Sequence, residues 1–168
     1  IYQRQEFTKS VIKFFKEPEI VKISKKIPSD LGEGLIFIIG MPRSGTTLTE
    51  SIIATSEDSI AGGEKVFFSV NFRPIIKQYQ NENLKFEALL KLGLAYLDTI
   101  NIQRKGKGIF IDKMPENYLY YKFIQISLPL AKFIHVYRDP WDNAISLFKQ
   151  NFVNEIPYSS SFFGIALE

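Results

Sequence analysis

Cysteine is absent from all 168 residues, which excludes disulfides and thiolate metal sites and leaves the redox compartment open. Histidine and tryptophan occur once each, as His135 and Trp141, and no metal-ligand spacing is present. No apolar run approaches the roughly 20 residues of a membrane span. The longest are of the kind GLIFIIGM, residues 34–41, so no membrane association is evident. A strong charge imbalance is also missing. Lysine and arginine number 21 against 18 acidic residues, a net charge of +3, which suits a small anionic ligand and does not mark a nucleic-acid surface. There is no internal repeat and no low-complexity tract. The chain opens on Ile1 rather than Met, so a targeting signal can precede it, and the closing Leu167-Glu168 has the form of a vector scar. Cytoplasmic location is the default expectation.

One further absence is more specific. The stretch FIIGMPRSGTTLTESI, residues 37–52, has the spacing of a phosphate-binding loop, G-x-x-x-x-G-K-[ST], without its lysine. Gly40 and Gly45 bracket the loop, Thr46 and Thr47 follow, and Arg43 lies inside it. The glycines let the backbone turn tightly with its N–H groups inward, and the following helix adds its positive dipole end. Ser44, Thr46 and Thr47 add hydroxyl donors, and Arg43 offers a planar fork to one tetrahedral oxyanion. The plain alternative is an ordinary strand-to-helix turn. Without the lysine that serves β- and γ-phosphates, the loop suits a short 5′ chain better than a triphosphate.

What the chain does have is 45% hydrophobic and 14% aromatic residues, enough for one core of ordinary domain size. Residues 4–26 read as a charged amphipathic helix with Phe7, Val11, Phe14 and Phe15 roughly on one face. IPSDLGEG, residues 27–34, is a breaker-rich linker, which divides the chain into a helix and linker over 1–34 and a domain over 35–168. LIFII (35–39), GIFID (108–112) and AKFIHVY (131–137) read as strands, the first fully apolar as in buried parallel sheets. Helices are predicted over about 45–55, 65–79, 84–105, 117–127 and from Asp139, which caps a helix with Pro140 at its first position. SIAGGE, residues 59–64, is a short segment ending in paired glycines and Glu64. Strands alternating with helices predict an α/β fold, three-layered and P-loop-like, with a parallel sheet flanked by helices. Ligands of such sheets bind at the carboxyl ends of the strands, where each unusual polar cluster here falls.

A second cluster is YRDPWDNAIS, residues 137–146. Arg138 ends the third strand. Asp139, Asn143 and Ser146 fall at i, i+4 and i+7 of the next helix, so Ser146 can look back toward Arg138 and form a second anion site. The alternative is an exposed ion pair of Arg138 with Asp139 or Asp142. Glu64 has the close backbone approach of two glycines behind it and a carboxylate able to take a proton from a hydroxyl; the alternative is an acid stabilised by a helix N-terminus. His135, in mid-strand, reads as a satisfied residue near the core.

GMPRSGTT, AGGE, DKMPENYLY and HVYRDPWDNAISLFKQNF, in that order over residues 35–152, resemble the sulfotransferases that use 3′-phosphoadenosine 5′-phosphosulfate (PAPS). The likeness is nearest to the bacterial sulfotransferases with tetratricopeptide repeats and to the tyrosylprotein sulfotransferases. It implies that Arg43, Ser44, Gly45, Thr46 and Thr47 bind the 5′-phosphosulfate and that Arg138 and Ser146 bind the 3′-phosphate. It implies Glu64 as general base and Lys113 as the cation that neutralises the leaving phosphate oxygen, with Arg43 assisting and 3′,5′-ADP (PAP) as product. The plain alternative for Lys113 is a solvated loop lysine. His135 does not match the histidine base of the cytosolic sulfotransferases, which belongs where this chain has Asp112-Lys113. The acceptor is a hydroxyl on a protein tyrosine, a carbohydrate or a small molecule, and no metal is required. Family members continue well past the 3′-phosphate motif, so the expectation is a domain shortened at its C-terminus, either a fragment inactive alone or a shortened relative.

Two other classes remain. A Mg²⁺-dependent nucleotide kinase would use the loop with Asp112 as a Walker-B carboxylate, but the absent lysine counts against it. A non-catalytic module would bind nucleotide or partner proteins through its aromatic-rich helices, yet the 15 Phe and 8 Tyr fall mostly at core-like spacing.

Overall fold

A computed structural model describes residues 25–79, 86–150 and 156–166, together with Glu6, Thr8, Lys9 and Ile12. Strand β1, Leu35–Gly40, is the apolar run LIFIIG and is buried along nearly its whole length. It can be so because it has neighbours on both sides. The sheet order is β2-β3-β1-β4, with β2 at Ser59–Ala61, β3 at Ile109–Lys113 and β4 at Lys132–Val136. All pairings are parallel, and Phe37 stands in register between Asp112 of β3 and Phe133 of β4. Parallel pairing requires crossover connections, and helices supply them. The crossovers carry α1 (Thr46–Ile53), α2 (Phe67–Tyr79), α3 (Phe86–Arg104) and α4 (Tyr121–Ser127), while α5 (Pro140–Phe148) and α6 (Phe162–Ala166) follow the last strand. The chain is thus an α/β protein, with a four-stranded, all-parallel sheet flanked by helices among the described residues. No helix among the described residues is long and apolar enough to cross a membrane.

The aromatic excess goes largely into one cluster against β1. Phe37 is fully buried, with its ring 5.7 Å from those of Phe68 and Tyr96 and 5.3 Å from that of Phe133. Phe68 lies 4.6 Å from Tyr96, and Phe72 lies 4.8 Å from Phe123, so α2, α3 and α4 are stitched to the sheet by ring contacts. Offset and edge-on rings at these distances add to simple area burial. Ile38 and Ile111 are fully buried too, outside this cluster, and α1 packs against β1, β2 and β3.

Several expectations shift. The helix predicted over 4–26 lies mostly outside the described residues, as do Phe7, Val11, Phe14 and Phe15; Glu6, Thr8, Lys9 and Ile12 are helical. The segment 27–34 is docked on the domain. Ile27 joins the core cluster, and Leu130 N–H donates to Leu31 O at 2.9 Å. Residues 115–120 form a 3₁₀ helix ahead of α4 because Asn117 N–H bonds back three residues to Met114 O. β2 went unread because three residues carry too little alternation to register as a strand. His135 is exposed rather than near-core. β4 is an edge strand of the described sheet, Lys132 and His135 are its solvent-exposed residues, and the imidazole centroid lies 6.4 Å from the Tyr137 ring.

Truncating the ring at the centre of this packing tests it. Phe37→Ala should cost about 3–5 kcal/mol of stability. The measurement is a urea unfolding curve, with the midpoint lowered and the slope unchanged.

Candidate active site

The loop between β1 and α1 is built by close approach. A Cβ at Gly40 would sit 2.2 Å from Val136 O, so only glycine lets β1 end against β4 here. Arg43 takes a left-handed conformation, φ 69°, which disfavours any residue with a side chain. Two bonds from α5 hold the loop. Asn143 Nδ2 donates to Pro42 O at 3.0 Å, and Arg43 Nε donates to Ser146 Oγ at 3.2 Å. α5 is itself fixed as predicted, with Asp139 Oδ1 accepting from Trp141 N–H and Asp142 N–H at 2.9 and 3.1 Å, and Pro140 in the first turn.

The loop presents unspent donors. α1 starts after Gly45 with no side-chain cap and no acid in its first turn, so its first amides await an acceptor. Ser44 and Thr46 are buried, and the Ser44 hydroxyl has no partner among the described residues. Arg43, Ser44, Gly45, Thr46, Thr47 and Arg138 line one cleft of about 410 Å³. The second cluster differs from its expected geometry. Ser146 engages Arg43 rather than Arg138, because Asn143 and Ser146 turn the shared helix face toward the loop. Arg138 instead lies 3.7 Å from Asp142, their side chains 46% and 63% exposed, and lines the same cleft as the loop. Both arginines therefore line one cleft.

Glu64 and Lys113 form a second group. β2 continues past Ala61, with Gly62 N–H donating to Ile111 O at 2.7 Å and Lys113 N–H donating to Gly63 O at 3.0 Å. A Cβ at Gly62 would lie 2.4 Å from the Phe110 ring and 2.6 Å from Ile111 O, so the closeness depends on glycine. This pairing sets the two side chains together, with Lys113 Nζ donating to Glu64 Oε1 at 2.5 Å. Lys113 is no solvated loop lysine. It ends β3 with its side chain only 8% exposed, whereas that of Glu64 is 57% exposed. Pro42, Arg43, Thr46, Thr47, Glu64, Met114, Pro115, Glu116 and Ile156 line a cleft of about 290 Å³. It shares Arg43, Thr46 and Thr47 with the first, so the loop is the wall between the donor-lined cleft and the cleft that Glu64 borders.

Residues 36–168 match the profile of the sulfotransferase family. This chain belongs to that family. An uncharacterized protein of Aquifex aeolicus (strain VF5) is 38% identical to it over 129 residues. That match covers 70% of this chain and 17% of the relative, so the sulfotransferase domain described here spans about a sixth of that protein's length.

Three polar residues beside this candidate site were not legible in advance. Glu50 on α1 is buried and accepts from Gly63 N–H at 2.9 Å. Tyr96 and Asn117 close on Asp112, Tyr96 Oη donating to Oδ2 at 2.6 Å and Asn117 Nδ2 to Oδ1 at 3.4 Å. A lone acid in an otherwise uncharged helix, TTLTESII, was the available signal for Glu50; nothing local marks the other two. Asp112, considered as a Walker-B carboxylate, has both oxygens engaged and 1% exposure, a poor arrangement for holding a magnesium ion. Burial pushes its pKa up to about 7, against the lowering effect of the Tyr96 hydroxyl, and burial likewise pushes the Tyr96 phenol up.

That shift makes stability depend on pH. The folded protein binds the Asp112 proton more tightly than the unfolded chain does. The contribution is therefore full below the ordinary value of 3.8 and is lost as pH rises to about 7. Measured against Asp112→Asn, the parent should lose roughly 1.4 kcal/mol per pH unit across that window and nothing further above it. Paired urea curves at pH 4 to 8 check this; a constant difference would remove the shift.

Proposed function

We propose that this domain transfers a sulfuryl group from PAPS to a hydroxyl acceptor. The observation that carries the reading is the shared wall of the two clefts. Arg43, Thr46 and Thr47 line both the donor-rich cleft and the cleft of Glu64, which supports a reading with an oxyanion bound on one side of the loop and a proton acceptor on the other.

The residues suit PAPS chemically. The uncapped α1 amides, the partnerless Ser44 hydroxyl, Thr46, Thr47 and the Arg43 guanidinium fit the 5′-phosphosulfate. Arg138, with Ser146 held near the loop by Arg43, fits the 3′-phosphate. PAPS supplies an activated sulfuryl group with PAP as its leaving group. Glu64 accepts the acceptor's proton, and its exposure leaves it open to an incoming hydroxyl. Lys113 fixes the Glu64 carboxylate through their 2.5 Å contact and supplies positive charge for the leaving oxygen, together with Arg43 and the loop amides. A sulfuryl group carries one fewer negative charge than a phosphoryl group, so two guanidiniums and an ammonium are proportionate without the loop lysine of the triphosphatases. The acceptor is a protein tyrosine, a carbohydrate or a small alcohol.

PAP should stabilise the protein more than ATP with Mg²⁺ does. At about 100 times its Kd, PAP should add roughly 2.7 kcal/mol, read as a rise in Tm. A larger shift with ATP–Mg²⁺ would replace this reading by a nucleotide kinase.

Glu64→Gln keeps the shape and cannot take a proton at neutral pH. Its Kd for PAP should stay within a few-fold of the parent, while kcat and kcat/KM should both fall by roughly 10²–10⁴. Near-parental turnover would remove Glu64 from the proton transfer.

A further inference from the structure

Glu50 sits where local physics disfavours it. It is 7% exposed on α1, and close enough to the buried Asp112 for its charge to help hold that carboxyl protonated. A buried carboxylate is costly unless its bonds are worth having. The bond it makes is to Gly63 N–H, thirteen residues on in the chain, at 2.9 Å.

That amide lies in the Gly62–Gly63 peptide, one residue ahead of Glu64 and its partner Lys113. Gly63 has φ 69°, a left-handed conformation that departs from the extended backbone of β2. The neighbouring groups are taken by β3, Gly62 N–H by Ile111 O and Gly63 O by Lys113 N–H. Glu50 takes the group that β3 leaves over. Three bonds from two elements thus fix the backbone that launches Glu64, one of them from the same helix whose first residues, Thr46 and Thr47, line both clefts. Four residues separate Thr46 from Glu50, about one helical turn, so a rigid piece of α1 spans from anion site to base.

We infer that Glu50 is a positioning residue: its carboxylate, bonded to Gly63 N–H, sets where Glu64 stands relative to the phosphate-binding loop. The inference rests on the sulfuryl-transfer reading for its catalytic consequence and on the hydrogen bond alone for its structural one. A charged acceptor makes the bond stronger than a neutral one, and glycine has no side chain to restrain its own backbone.

The test compares three variants of the full chain. Glu50→Met keeps volume and drops the acceptor, Glu50→Ala drops both, and Glu50→Gln keeps an acceptor oxygen. Hydrogen exchange at the Gly63 amide should rise about tenfold or more in the Met and Ala variants, with β1 amides unchanged. The PAP-induced rise in Tm should match the parent in all three. With PAPS and whichever phenol, sugar or alcohol the parent sulfates, kcat should fall by roughly tenfold to a hundredfold in Glu50→Met, with KM for PAPS nearly constant. Glu50→Gln should recover most of that kcat.

Parental exchange at Gly63 in Glu50→Met, with PAP binding intact, would overturn the inference alone. So would faster exchange with parental kcat, or a kcat loss that glutamine does not restore. A parent that neither binds PAP nor turns over PAPS would sink the sulfuryl-transfer reading and the catalytic part of this inference with it.

Discussion

The pairing of β3 does not stop where β2 does. Ile111 O and Lys113 N–H go on to bond Gly62 and Gly63, and this two-residue extension is the constraint on which the site depends. It requires a residue without a side chain at position 62, because the Phe110 ring and Ile111 O occupy the space a Cβ would need. In return it sets an acid and a lysine, 49 positions apart in the chain, within bonding distance. Few other arrangements place a part-exposed carboxylate against an ammonium that is itself nearly buried. The lysine's position follows from the sheet, since it is the last residue of a strand paired on both sides over most of its length.

Much of this was readable in the residues. The three long apolar strands and five helices announced themselves by run length, periodicity and caps. The Asp139-Pro140 start of α5 is a local code that needed no tertiary help. The loop was legible because glycines at fixed offsets, with Arg43 and the hydroxyls, form a local chemical pattern. Glu64 and Lys113 were named through resemblance, since nothing in their spacing puts them in contact. Glu50, Tyr96 and Asn117 were illegible for the same reason. Their partners are 13, 16 and 5 residues away through a fold that brings together different elements. His135 went the other way: a mid-strand position suggested cover, whereas the sheet order placed its strand at an edge.

α5 has a double task that its spacing only half disclosed. Its polar face was expected to serve Arg138, yet Asn143 and Ser146 spend their bonds on Pro42 and Arg43. The helix thereby buttresses the phosphate-type loop from outside, while its entry segment contributes Arg138 to the same cleft. The two guanidiniums, separated by 95 positions of sequence (138 − 43), are coupled through a single short helix. Movement of α5 would alter both at once.

Arg43 carries a consequence for anyone trying to improve this protein. Its backbone, φ 69°, lies where glycine is content and where a side chain costs on the order of 1 kcal/mol. A screen for heat resistance would find that position readily and would favour Gly, which relaxes the turn. The variant it rewarded would have lost the one guanidinium that borders both clefts. Under the proposed sulfuryl transfer, selection for robustness and selection for turnover pull this residue in opposite directions, and a library built on that reading should hold it fixed.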